Sequence, residues 1–325
     1  MFQTQILSIV DLEAQKKAAK ILEGGDLVAI PTETVYGLAA DAKNKDAINK
    51  IFVVKQRPSH HPLILHIASE KELPIWADSI SEDAYLLAEH FWPGPLTMVF
   101  KKQLSVHDEI TGGLETVAIR VPKQEQLRAI LSDLNTGVVA PSANPHKKLS
   151  PTSAEQVYEG LCGKIPLILD GGDTEVGIES TIVDMTQNTP TILRKGPISR
   201  QMLEKVLNKM VLDPTEHAIQ SPGNMKEHYQ PHTKSSLLTK EELISSLDTE
   251  VKSTGYLFYS DIAELENQKQ NIKLSSQKEE YAAKLYQSLY RLDKLGLKKI
   301  IIEKPPMDPT WCDVIDRLTK ATYQS

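Results

Sequence analysis

The stretch Leu27-Val28-Ala29-Ile30-Pro31-Thr32-Glu33-Thr34-Val35-Tyr36-Gly37-Leu38 sets the pattern for the first two-thirds of the chain. Four apolar residues read as a short buried strand, a proline ends it, and a polar cluster follows. Lys55-Gln56-Arg57-Pro58, Ala140-Pro141-Ser142-Ala143-Asn144-Pro145 and Gly177-Ile178-Glu179-Ser180-Thr181 likewise stand where apolar runs end. Hydroxyls, a Lys/Arg pair and an amide at strand ends are what a pocket for a small polar substrate and a polyphosphate requires. This is the pattern of a nucleotide-using enzyme.

Working outward, apolar and small residues at helical spacing predict a helix over 12–23, stopped by Gly24-Gly25. The alternation continues with helices near 45–54, 81–91, 124–133, 153–160 and 199–208. Strands fall at 27–30, 63–67, 96–101, 116–121, 137–140, 166–169, 181–184 and 191–194. More strands than a simple βα repeat supplies imply an open, mixed sheet with helices on its faces. Periodicity lapses after 208, and 209–234 reads as an extended connector. Residues 235–325 resume as a smaller, three-stranded, Rossmann-like α/β unit with strands at 235–239, 255–259 and 298–302 and helices at 240–247, 277–294 and 310–321. Lacking a GxGxxG fingerprint, this unit is expected to support or cover the first and not to hold a second nucleotide.

Composition narrows the classes. The 325 residues are 40% hydrophobic and 25% charged, ordinary for a globular protein, and the net charge of −6 argues against a broad grip on nucleic acid. Cys162 and Cys312 stand alone, so neither a disulfide framework nor a cysteine zinc site is expected, and a cytoplasmic location fits. No run approaches the ~20 apolar residues of a membrane helix. The nine histidines show no metal-ligand spacing, so no protein-bound zinc is expected. Without a GxxxxGK[ST] loop, ATP would be held by dispersed side chains.

Pro58 disfavours helix at Arg57, so Lys55-Gln56-Arg57 is expected to be extended, aiming Lys55 and Arg57 to one side as a phosphate clamp. The plain alternative is a solvated helix terminus. Ser142 and Asn144, bracketed by prolines, are expected to leave a turn together. Ser150, ahead of Pro151-Thr152-Ser153, is a candidate for helix capping and for anion binding. Thr32 and Thr34 read either as turn caps or as ligand contacts. Arg120, closing an apolar strand, needs a partner, for which a substrate carboxylate and an internal Asp or Glu are equally suited.

In this order the motifs PTETVYGLAADA (31–42), KQRPSHHPLILHI (55–67), FWPGPLTMVF (91–100), VAIRVP (117–122), APSAN (140–144) with SPT (150–152), LDGGDTEVGIESTIVD (169–184), ILRKGPI (192–198) and SPGNMKEHYQP (221–231) resemble the YrdC-like family. The likeness is to its long, two-domain form, the threonylcarbamoyl-AMP synthases. It implies a twisted α/β sheet with a concave, positively lined cavity. It also implies condensation of L-threonine, bicarbonate or CO2, and ATP into threonylcarbamoyl-AMP and pyrophosphate. Magnesium accompanies the ATP, and a separate transferase complex delivers the group to adenosine beside the tRNA anticodon. The connector is expected to cross the cavity mouth. A weak tRNA contact and the oligomeric state are left open.

By the resemblance, Lys55, Arg57, Ser142 and Asn144 form the catalytic set around the phosphates. Thr34, His66, Arg120, Ala140 and Ser180 correspond to threonine-contacting positions. Arg57, His61, Thr116, Ser142, Ser150, Arg194 and Tyr229 correspond to ATP-contacting ones. No residue is expected to bind a metal directly. His61 stands where the family commonly has Asn, Ala39 where it has Gly, and His146-Lys147-Lys148 where a Ser-Gly pair is usual. A maturation factor that embeds the same domain would bring zinc-finger cysteines, which are missing. A noncatalytic RNA-binding or ribosome-associated relative would show a basic face.

Overall fold

The computed structural model describes residues 2–213, 229–247, 253–266 and 268–323. The chain divides into two compact units: Met1–His146, Pro151–Glu175 and Glu179–Asn224 form the first, and Lys147–Ser150, Val176–Ile178 and Met225–Ser325 the second.

The first unit begins with β1 (Gln5–Ser8), α1 (Leu12–Glu23), β2 (Val28–Ile30), β3 (Gly37–Asp41), α2 (Lys45–Lys55) and β4 (Ile64–His66). It continues through α3 (Leu73–Trp76), β5 (Ala77–Asp78), α4 (Glu82–Phe91), β6 (Leu96–Lys102), α5 (Asp108–Thr111), β7 (Thr116–Arg120) and α6 (Glu125–Leu134). It closes with β8 (Val138–Val139), α7 (Ala154–Leu161), β9 (Leu167–Asp170), β10 (Thr181–Asp184), β11 (Thr191–Arg194) and α8 (Arg200–Leu207). Helix starts are set by side chains that take an otherwise unpaired N–H: Asp11, Asn44, Ser81, Ser153 and Ser199 cap α1, α2, α4, α7 and α8. Gly25, left-handed at φ +75°, turns the chain after α1, and a Cβ there would lie 2.7 Å from Nδ2 of the α2 cap, Asn44.

The sheet is open and mixed, in the order β1-β9-β2-β3-β8-β4-β7-β6-β10-β11, with β5 on β6. Beyond the expected strands it contains β1, β3 and β5. The first is a largely exposed edge and the last has two residues. β3 reads Gly37-Leu38-Ala39-Ala40-Asp41, buried at its first four positions and so without polar alternation.

Two apolar layers cover the sheet. On one face α1 and α6 pack on Val28, Ile30, Ala39, Val138 and Leu167. On the other, α2, α4, α7 and α8 close over Leu65, Ile119, Met98 and Val183. In the β4–β7–β6–β10–β11 half, a separate cluster of Ile64, Val99, Ala118, Ile182 and Leu193 forms, to which only strands contribute. Side chains alternate along a strand, so His66 follows Ile64, and Arg120 follows Ala118, onto the face of that cluster.

The second unit holds β12 (Lys234–Leu238), α9 (Lys240–Ser245), β13 (Thr254–Phe258), β14 (Asn271–Lys273), α10 (Lys278–Asp293), β15 (Lys299–Glu303) and α11 (Cys312–Ala321). Its strands are all parallel in the order β12-β15-β13-β14, four where the sequence suggested three. The three residues of β14 are too short a run to stand out by pattern. At the carboxyl ends of β13 and β15, where such sheets usually take ligands, the buried Glu303 carboxylate accepts the N–H groups of Tyr259 (2.8 Å) and Ser260 (3.0 Å).

Candidate active site

The loop after β2 is organised by Thr32. Its hydroxyl accepts from the N–H groups of Thr34 (3.2 Å) and Val35 (3.3 Å) and donates to the Val35 carbonyl (2.6 Å). Turn capping thus belongs to Thr32. Its one proton is spent on Val35, so in the 2.9 Å contact between the two hydroxyls Thr34 is the donor. Thr34 Oγ1 accepts from Arg120 Nη1 at 2.8 Å, and any further partner must donate to it.

Arg120 is buried at the end of β7. Its Nε donates to the Gly94 carbonyl (3.1 Å), and its Nη2 lies 2.7 Å from Glu33 Oε1. Of the two partners the sequence left open, an internal carboxylate is present. β4 runs parallel to β7 with His66 opposite Arg120. His66 Nδ1 faces the Ile64 carbonyl at 3.2 Å, and an acceptor there fixes the proton on Nδ1, leaving Nε2 to accept. Burial, then the Arg120 charge, push the His66 pKa down to about 3, so the ring is neutral at physiological pH. The Ile64 carbonyl also takes the Ala140 N–H at 3.0 Å, leaving the Ala140 carbonyl as the group that can meet an amine. Arg120 as donor and Thr34, His66 and Ala140 as acceptors suit an amino acid zwitterion.

The 140–144 segment is laid along β3. Beyond the β3–β8 pairs, Leu38 N–H reaches the Pro141 carbonyl (2.7 Å) and Ala143 N–H the Tyr36 carbonyl (2.8 Å). Gly37 permits this approach, since a Cβ would stand 3.1 Å from that of Ala140. Lys55 pins the segment from the other side, its Nζ donating to the carbonyls of Ser142 and Asn144.

That geometry corrects one expectation. Lys55-Gln56-Arg57 is not extended: Lys55 is the last residue of α2, and Gln56 is left-handed at φ 55°. The Arg57 N–H reaches back to the Phe52 carbonyl at 2.9 Å, a cap that satisfies the helix end and sets Lys55 and Gln56 before the residue that Pro58 restricts is reached. The Arg57 charge is still felt at Lys55. Burial and then the Arg57 charge hold the Lys55 pKa well below the usual lysine value. Arg57 Nη2 donates to the Pro62 carbonyl at 3.0 Å, and its charge, after burial, helps lower the His61 pKa to about 4. His61 and His146, both departures from the family pattern, stand with ring centroids 5.6 Å apart.

Ser180 and Arg194 also come together. Arg194 Nε and Nη2 donate to the Ser180 carbonyl and hydroxyl, each at 3.0 Å, and Thr97 Oγ1 lies 2.7 Å from that hydroxyl. Thr116 instead opens β7 and lines a recess of about 380 Å³ with Lys101, Lys102 and Glu115, shared with none of the other candidates. The α7 cap is Ser153, so Ser150 does not serve there. Ser150 groups with the second unit, as does Tyr229, which is buried, left-handed at φ 60°, stacked on Tyr286 (5.7 Å) and beneath the Arg317 guanidinium (5.2 Å). The rest of the expected connector, 214–228, lies outside the described residues. Glu33 and Thr97 were not foreseen; each lies inside a quoted motif, Glu33 between two threonines and Thr97 as the polar residue of the apolar run Leu96-Thr97-Met98-Val99, where the available signal was a polar side chain interrupting that run.

Comparison with known proteins gives the family. The Sua5/YciO/YrdC family model, described as "Telomere recombination", matches residues 20–196, and that of the "Threonylcarbamoyl-AMP synthase, C-terminal domain" matches 198–322. The chain is 37% identical to the threonylcarbamoyl-AMP synthase of Pyrococcus abyssi, covering 94% of this chain and 93% of that protein. It is 36% identical to that of Bacillus subtilis, with 94% and 92% covered. The crystal structure of P. abyssi Sua5 complexed with L-threonine superposes with a TM-score of 0.88 at 35% identity, covering 99% of this chain and 97% of that one. The chain belongs to the threonylcarbamoyl-AMP synthase family, in its two-domain form.

Proposed function

We propose that the protein is a nucleotidyltransferase that condenses L-threonine, bicarbonate or CO2, and ATP into threonylcarbamoyl-AMP, releasing pyrophosphate. The observation that carries this reading is the set of one guanidinium donor, Arg120, and three acceptors, Thr34, His66 and Ala140, beside the Lys55-pinned 142–144 segment. It complements a zwitterion next to a cation-rich loop, in a chain that shares its fold with an L-threonine complex.

In this scheme Arg120 holds the threonine carboxylate, and the Ala140 carbonyl, Thr34 and neutral His66 accept from its ammonium and hydroxyl. Loss of one ammonium proton frees the lone pair to add to CO2, and loss of a second proton from the nitrogen of that adduct to solvent gives the carbamate. A carbamate oxygen attacks the α-phosphorus as the bond to pyrophosphate breaks. Arg57, Ser142 and Asn144 orient the phosphates, and Lys55 fixes the segment that carries the last two. Catalysis then rests on positioning and charge, with no covalent enzyme intermediate. Bound with the ATP phosphates, magnesium would screen their charge, and no residue of this chain is expected to hold it directly. A tRNA-modifying transferase would consume the product, and the cytoplasm is the expected location. Among the described residues, no helix is long and apolar enough to cross a membrane.

The test is incubation of the purified protein with ATP, magnesium, bicarbonate and L-threonine, following pyrophosphate and the adenylate by mass spectrometry. Product that requires both threonine and bicarbonate is expected. Its absence from folded, ATP-binding protein would overturn the reading.

A further inference from the structure

The buried Glu33 carboxylate is the part of the site that the scheme above does not use. Its Oε2 accepts the Lys123 N–H at 3.0 Å, just beyond the strand that ends in Arg120. Its Oε1 lies 2.7 Å from Arg120 Nη2, with both side chains almost fully buried. This contact is a pairing of charge: neither atom reaches hydrogen-bond alignment with a partner. Arg120 Nε and one of the two Nη1 protons are committed to Gly94 and Thr34, so both Nη2 protons and the second on Nη1 are left for a ligand. Glu33 neutralises the guanidinium from one side without consuming those protons.

We propose that Glu33 is a positioning residue for substrate binding: held by the Lys123 N–H, it fixes the Arg120 guanidinium by charge so that Nη2 presents its protons to the substrate carboxylate. The proposal rests on the reading of Arg120 as the carboxylate partner.

Glu33→Gln tests it with little change in volume, which matters because Glu33 also lines a polar recess of about 270 Å³ that a smaller residue would enlarge. An amide has one acceptor where the carboxylate has two. If its oxygen keeps the Lys123 N–H, its NH2 faces Nη2 and turns the guanidinium aside. KM for L-threonine and its calorimetric Kd are expected to rise roughly tenfold, the scale of one charge-assisted contact, while KM for ATP stays put. Glu33→Asp, which keeps the charge but retracts it, should fall between. A Glu33→Gln protein with unaltered threonine affinity, or with both KM values shifted together alongside a lowered unfolding midpoint, would reduce Glu33 to a structural role. Arg120→Lys is the control. If it weakens threonine binding while Glu33→Gln does not, the inference alone fails. If Arg120→Lys leaves threonine binding intact, the reading of Arg120 fails and the inference with it.

Discussion

His66 shows how a single residue records its surroundings. Its pKa lies near 3 in the folded protein against an ordinary value of 6.5, because burial and Arg120 both oppose a second positive charge. Above pH 6.5 the ring is neutral whether the chain is folded or not. As pH falls from 6.5 toward 3 the unfolded chain takes the proton first, so stability declines across that window. Denaturant midpoints measured from pH 7 to 4 should fall, and His66→Gln should flatten the slope; an unchanged slope would show that the ring titrates normally when folded. Residue pattern alone gave His66 no role, since a lone histidine in Ile64-Leu65-His66 shows no ligand spacing. Arg120 was more legible, because a charge at the end of an apolar strand demands a partner. Which partner it takes depends on the loop after β2 folding back to the exit of β7, and no local pattern encodes that.

At the scale of elements, β10 and β11 tie the Ser180–Arg194 pair to the turn that follows them. Thr181 Oγ1 donates to the Ile198 carbonyl (2.8 Å) and accepts the Ile198 N–H (3.0 Å), folding residues 195–198 onto β10. Gly196 lies so close that a Cβ would be 2.4 Å from the Thr181 nitrogen and 2.7 Å from the Ser180 carbonyl carbon, both backbone atoms with little freedom to yield. Gly196→Ala should therefore cost about 1–3 kcal/mol as overpacking, read as a lower urea midpoint, and should weaken substrate binding by parting Ser180 from Arg194. A midpoint equal to wild type would mean that the turn moves aside cheaply. Long elements of clear period, such as α1, α4, α6 and α8, were readable to within a residue or two. The expected extension of Lys55-Gln56-Arg57 failed because a left-handed residue can end a helix without glycine. β3 was hidden because burial removes the alternation that marks a strand.

For the molecule as a whole, the order of motifs along the chain carried the family, while the grouping of residues into units was less visible. Residues 147–150 and 176–178 lie amid the first unit in sequence yet group with the second. Gly177 gives a reason: at φ +76°, a Cβ on it would sit 2.5–2.6 Å from backbone atoms of Ala282 and Ala283 in α10. Short loops bear no periodicity, so nothing local announces such membership. Lys55 has a consequence for the thermodynamics of the entire enzyme. A buried amine with a lowered pKa, next to Arg57 and pinned on two carbonyls, gains proton affinity whenever negative charge arrives beside it. Nucleotide binding should then raise the proton affinity of Lys55, and Lys55→Met, which removes the charge and both carbonyl contacts, should weaken ATP binding more than threonine binding; equal weakening of both would mean that Lys55 acts through the fold alone.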